Sequence, residues 1–193
     1  MLERHLPLPW GRLILYPSET QYALGCHPLD RAALRLLDAA KGRSGKPYLM
    51  LIPDLAALPR FVKLDARLAA EVAKLTEQHW PGPLTLVLPA QPWLPVELTA
   101  GSGTVGVRVS SDPVAASIAR AWGGVVSTSA NRSGQPPAEQ GEEAARQWGE
   151  LVDLAWIDTP RHAPPSTVAA WRGTGWQVLR QGAVQVQDDA DQN

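Results

Sequence analysis

The sequence predicts an α/β protein in which helices pack on a mixed sheet. Three observations carry that expectation. Short apolar runs with β-branched residues recur between glycines and prolines. Helical patterns with recognisable starts and stops separate the earlier runs. Several runs then follow one another towards the end, which a strictly alternating parallel sheet would not show.

The first strand is expected at RLILY (12–16), stopped by Pro17. Ser18-Glu19-Thr20-Gln21 then has the S-x-x-Q spacing of a capping box. It reads as a helix start, either with no other job or with free N–H groups and two hydroxyls that also receive a polar ligand, Gly25 letting the chain turn closely beside that ligand. Asp30 is placed to N-cap a helix over 31–41, where Ala33, Leu34, Leu37 and Ala40 share one face. YLMLI (48–52) is almost wholly apolar and reads as an interior strand. Asp65 begins a helix over 66–80, which WPGP (80–83) terminates as a rigid turn into the strand LTLVL (84–88). TVGVRV (104–109) is the next strand. Asp112-Pro113 opens a helix over 114–122 and Gly123 closes it. GVVST (124–128) is a strand, and 138–149 a more exposed helix. DLAWI (153–157), TVAAW (167–171) and WQVLR (176–180) complete the strands, a polar tail follows over 183–193, and its acidic part QVQDDADQN (185–193) is expected to fray.

With 193 residues, one domain is expected over 1–193, its core at about 10–182. Hydrophobic residues at 45% and charged residues at 19% describe a soluble globular chain. A net charge of -1 disfavours a large nucleic-acid surface, so an anion site must come from local clustering. The lone Cys26 excludes an internal disulfide and fits a reducing compartment. Cys26 with His5, His27, His79 and His162 gives no zinc spacing. The start has no signal-peptide pattern and no run is long enough for a membrane span, so a cytoplasmic protein is expected. Eight dispersed tryptophans read as packing residues rather than a nucleobase platform.

Four separated segments carry side chains suited to anions: YPSETQYALG (16–25), KGRSGK (41–46), STSANRSG (127–134) and PPST (164–167). Lys41, Arg43 and Lys46 stand where a helix ends. They either complement the helix dipole or clamp a polyphosphate. In TVGVRV the period-two alternation puts Val105, Val107 and Val109 on one face and Thr104, Gly106 and Arg108 on the other. A solvated strand face would look the same, yet a mid-strand glycine marks close approach of a ligand or backbone. Arg108 is the leading candidate for bidentate capture of a carboxylate. STSAN and Ser166-Thr167 lack a G-x-S-x-G elbow and an obvious histidine base, so they read as hydrogen-bond donors, not nucleophiles. Thr85, in WPGPLT, is a weak ligand candidate. Neither a Walker pattern nor G-x-G-x-x-G occurs.

Taken in order, YPSETQYALG, KGRSGKP, WPGPLTLVL, VGVRV, STSANRSGQPP, PPSTV and LRQG resemble the YrdC-like family over about residues 10–182. Within it they are most similar to the short, single-domain TsaC type of threonylcarbamoyl-AMP synthase. The resemblance implies a twisted open mixed α/β sheet with a basic concave face. It implies a nucleotidyltransferase that joins L-threonine, bicarbonate and ATP into L-threonylcarbamoyladenylate and pyrophosphate, with Mg2+ accompanying the ATP. This is the first step towards N6-threonylcarbamoyladenosine at position 37 of tRNAs that read ANN codons. Direct tRNA contact and transfer of the product to the tRNA threonylcarbamoyl transferase complex are implied as well.

Position by position, the resemblance implies a threonine pocket of Thr20, Arg108, Ser127 and Ser166. It implies ATP contacts from Lys41, Arg43, Lys46, Thr104, Ser129, Asn131, Pro137 and Arg180. Lys41, Arg43 and Arg108 would carry catalysis by positioning and charge neutralisation, with no covalent nucleophile and no protein metal ligands. The chain departs from the family pattern in having Ser18 for threonine, Ser44 for proline, and Lys46 only three residues after Arg43. YALGC is also similar to the YciO branch, so the alternative is a YciO-like nucleotide- or RNA-binding protein without synthase activity.

Overall fold

A computed structural model of the chain describes residues 10–42, 45–132, 134–136, 138, 140–157 and 162–188. Strands β1 (Leu13–Pro17), β2 (Tyr22–Gly25), β3 (Leu49–Leu51), β4 (Leu84–Pro89), β5 (Thr104–Arg108), β6 (Val125–Ser129), β7 (Val152–Ala155), β8 (Thr167–Trp171) and β9 (Trp176–Arg180) form one sheet. Its order is β7-β1-β2-β6-β3-β5-β4-β8-β9. The β1/β7, β3/β5 and β4/β8 pairs are parallel and the others antiparallel, so the sheet is mixed as expected. β3 is interior, in keeping with its apolar sequence.

Helices α1 (Arg31–Lys41), α2 (Ala66–His79), α4 (Pro113–Trp122) and α5 (Gly141–Trp148) correspond to the four helical patterns. Three of them start on a capping carboxylate. Asp30 accepts from Ala33 N at 3.0 Å, Asp65 from Leu68 N at 2.7 Å, and Asp112 from Val114 N and Ala115 N at 2.9 and 3.0 Å. Each bond satisfies a backbone donor that the first helical turn leaves without a partner. Gly42 and Gly123 end α1 and α4 in the left-handed conformation. The structure adds the short helix α3 (Val96–Thr99) and a 3-10 segment over Leu55–Arg60.

The S-x-x-Q segment starts no helix. Ser18 and Gln21 close a tight β1–β2 hairpin, with Ser18 N donating to Gln21 O at 3.2 Å. Ser18 Oγ accepts from Thr20 N and Gln21 N while donating to Gln21 O at 2.7 Å. The hydroxyl binds the same kind of free N–H groups that a helix start would present. The hydrophobic pairing of β1 with β2 decides the conformation.

Strand alternation divides the core between two faces. Met50, Leu84, Leu86, Leu88, Val105, Val107 and Val126 point towards α1, α2 and α5. On the opposite face, Ile14, Tyr16, Leu51 and Val125 pack under Ala115, Ile118, Ala119 and Trp122 of α4. Helix α4 lies mainly over β1, β3 and β6. Beyond it the sheet face is open.

The start of the tail expected to fray, at 185–188, is instead held against the sheet, with Asp188 accepting from Val178 N at 3.0 Å. Thr167 Oγ1 donates to Val184 O and accepts from Gly182 N at 3.0 Å, and Val184 and Val186 pack against the core. Trp122, Trp148 and Trp176 are buried, consistent with tryptophans as packing residues.

Candidate active site

The open half of the α4 face holds a cleft of about 340 Å³. β6 crosses the cleft between β2 and β3: Val125, Val126 and Ser127 register with β3, and Thr128 and Ser129 register with β2 on its other side. The alternation that buries Val105 and Val107 turns Gly106 and Arg108 into the cleft, beside Leu49, Thr85 and Val87 of the flanking strands. A Cβ on Gly106 would meet Leu49 Cβ at 3.1 Å, so the missing side chain keeps the cleft floor low. Ser18, Thr20 and Gln21 enter from the β1–β2 turn, Ser127 and Ser129 from β6, and Ser166 and Arg180 from the β8–β9 side.

Arg108 is only 3% exposed although it lines the cleft. Its Nε lies 3.5 Å from Glu19 Oε1, and Ser110 Oγ donates to Glu19 Oε2. Arg180 donates from Nε and Nη2 to Ser166 O at 3.0 and 2.9 Å, and from Nη2 to Ser166 Oγ at 3.1 Å. Ser166 Oγ lies 3.1 Å from Thr85 Oγ1. Burial lowers the Arg180 pKa below its ordinary value, and the nearby Arg108 charge lowers it further. Burial likewise raises the Tyr16 hydroxyl above its usual range, and that hydroxyl donates to Val126 O at 2.9 Å.

Lys41 is buried at the end of α1, and its Nζ donates to Ser129 O and Asn131 O at 2.6 Å each. It thereby pins the loop leaving β6, and it is not among the cleft-lining side chains. Asn131 extends that pinning: Ser129 Oγ donates to its Oδ1, and its Nδ2 donates to Arg132 O at 3.2 Å.

The four expected threonine-pocket residues, Thr20, Arg108, Ser127 and Ser166, all line the cleft. Of the expected ATP contacts, Ser129 and Arg180 line it as well. Lys46 is exposed at the rim beside the lining residue Pro47. Thr104 sits at the opposite end of β5 from Arg108, 2.9 Å from Ser102 Oγ. Arg43 and Pro137 lie outside the described residues. Gly25 serves no ligand approach: a Cβ there would fall 2.2 Å from Val126 O, so it permits close packing of β2 on β6. Thr85 and Glu19 are the cleft-related residues that the sequence reading undervalued. The strand register of Thr85 with Val168 was not visible in local sequence.

Residues 8–182 match the family described as Sua5_yciO_yrdC, telomere recombination. The chain belongs to the Sua5/YciO/YrdC family. It is 41% identical over 166 residues to a threonylcarbamoyl-AMP synthase of Thiobacillus denitrificans, covering 85% of this chain and 87% of that protein. A threonylcarbamoyl-AMP synthase of Alkalilimnicola ehrlichii is 39% identical, with 82% and 84% covered. Among solved structures, P. abyssi Sua5 complexed with L-threonine superposes with a TM-score of 0.81 at 31% identity. That alignment covers 89% of this chain, which spans 51% of the Sua5 chain. E. coli YciO superposes at 0.82 with 26% identity, covering 93% and 87%. The family's open mixed sheet is thus the fold of this chain too.

Proposed function

We propose that this chain is a threonylcarbamoyl-AMP synthase, forming L-threonylcarbamoyladenylate and pyrophosphate from L-threonine, bicarbonate and ATP. The observation that carries the reading is a buried arginine facing a ring of hydroxyls in one cleft. Arg108 takes the threonine carboxylate, and Thr20, Ser127 and Ser166 fix the amino acid around it. Seclusion from water strengthens this attraction well beyond that of an exposed pair. A cleft of about 340 Å³ seats an amino acid, and its open side lets the nucleotide extend over the rim past Ser129 and Arg180.

The threonine nitrogen forms a bond to the carbonate carbon and water is lost. A carbamate oxygen then attacks the α-phosphorus, and the bond to pyrophosphate breaks. The residues of the cleft orient the reactants and offset negative charge. Among the described residues no cluster of acidic, histidine or cysteine side chains could hold a metal ion. Mg2+ would enter with the triphosphate as part of the substrate. The product is passed towards tRNA modification through the tRNA threonylcarbamoyl transferase complex. Among the described residues no helix is long and apolar enough to cross a membrane.

The test is pyrophosphate release with ATP, Mg2+, L-threonine and bicarbonate, omitting each in turn. Arg108→Ala is expected to lower kcat/KM for threonine at least a hundredfold, about 3 kcal/mol, because it also leaves Glu19 unpaired beside the substrate carboxylate. Circular dichroism should still show the parent fold, with a lowered Tm because Glu19, whose Oε1 is closed to solvent, loses its ionic partner. Full activity in this variant overturns the reading. Nucleotide binding without threonine-dependent turnover would instead favour a YciO-like role.

A further inference from the structure

Arg108 presents an electrostatic problem that the substrate alone does not solve. It is nearly sealed from water, and it shares the cleft with a second guanidinium, Arg180, whose protonation it disfavours. A buried cation beside a like charge stays put only if an anion compensates it. Among the described residues the one salt bridge of Arg108 is to Glu19.

Glu19 is built into that position from two sides. Its backbone belongs to the β1–β2 turn, between cleft-lining Ser18 and Thr20, yet its side chain does not line the cleft. Ser110 Oγ donates to its Oε2, and the same oxygen of Ser110 accepts from Asp112 N at 3.2 Å. Asp112 caps α4, so the carboxylate is anchored to the start of that helix. The other carboxylate oxygen, Oε1, and the facing Arg108 Nε are both closed to solvent and without a hydrogen bond. The two groups are in ionic contact but stop short of a full bond.

We propose that Glu19 is a positioning residue for Arg108. Resting on the synthase reading above, it holds the Nε side of the guanidinium from behind and leaves the remaining donors for the threonine carboxylate. It also offsets the repulsion between Arg108 and Arg180, so both can face one cleft. The contact tightens when the substrate carboxylate draws on the other side of the guanidinium, since hydrogen bonds of this kind are long in empty sites and shorten in complexes. Ser110 belongs to the same device, because it fixes the plane of the carboxylate.

Glu19→Gln keeps the shape and the acceptor for Ser110 while removing the charge. With the synthase assay, the expected result is a threonine KM raised at least tenfold, with the ATP KM and kcat changed less than threefold. Ser110→Ala should move the threonine KM in the same direction by a smaller factor. Calorimetric titration of L-threonine without nucleotide should show the same loss of affinity. A readout that needs no substrate is the arginine Nε–H spectrum of 15N-arginine-labelled protein. The Arg108 signal, assigned by its absence in Arg108→Lys, should shift or broaden in Glu19→Gln.

An unmoved Arg108 signal overturns the proposal, whatever the enzyme assay gives. So does unchanged threonine affinity in Glu19→Gln. Tighter threonine binding overturns it as well, since Glu19 would then be competing with the substrate. Equal losses for threonine and ATP together with a lowered Tm would reduce Glu19 to a fold-maintaining role. If the parent protein binds no threonine, the synthase reading fails separately, and the spectrum still decides whether Glu19 orients Arg108.

Discussion

Arg180, Ser166 and Thr85 form one hydrogen-bonded group at the wall of the cleft. Arg180 Nη2 can only donate, so Ser166 Oγ accepts from it at 3.1 Å. Ser166 Oγ also lies 3.1 Å from Thr85 Oγ1, a contact in which either hydroxyl can donate, and Thr85 itself lines the cleft. Thr85 thus joins the hydrogen-bonded group of Ser166 and Arg180 on the cleft wall. Thr85→Val removes the hydroxyl and keeps the branched shape. The expected outcome is a threonine KM raised about tenfold, equivalent to about 1.4 kcal/mol for a lost neutral hydrogen bond. Steady-state kinetics with threonine varied check it, and an unchanged KM would remove Thr85 from the site. At this scale the sequence was uneven. Arg108 stood out because an arginine alternates with buried valines around a glycine. Thr85 did not, because its neighbours Ser166 and Gly106 come from distant parts of the chain.

Elements governed by local chemistry were legible and those governed by pairing were not. Asp30, Asp65 and Asp112 announce helices whose caps lie within three residues, and the structure has all three. The segment 18–25 carries equally local signals, but it became a turn and a strand because β2 is held between β1 and β6. Gly25 shows how tightly. Its missing Cβ would sit 2.2 Å from Val126 O and 2.8 Å from Tyr16 Cε1, and neither a backbone carbonyl nor a buried ring can yield easily. Gly25→Ala is therefore expected to cost about 3 kcal/mol, the upper range for overpacking a core. Urea unfolding followed by circular dichroism measures it. A loss below about 0.5 kcal/mol, typical of an unconstrained surface position, would show that the two strands separate freely.

At the scale of the molecule, the cleft is a consequence of uneven coverage. One helix cannot shield a whole face of a nine-stranded sheet, so the part left open becomes concave between the β1–β2 turn and β9. A ligand seated there touches strands on both sides of β6. It should therefore stabilise the fold as a unit. Cys26 offers a way to read this. It immediately follows β2, is fully buried, and burial together with the charges of Asp30 and Asp38 pushes its thiol far above the ordinary range. Thiol reagents attack the thiolate, so labelling must wait for the structure to open. When reclosing is faster than labelling, the rate follows the population of the open form. L-threonine at about 100 times its Kd then slows labelling about a hundredfold if opening is global. Labelling that ignores threonine while the protein binds it would mean that the Cys26 region opens on its own, with the cleft intact.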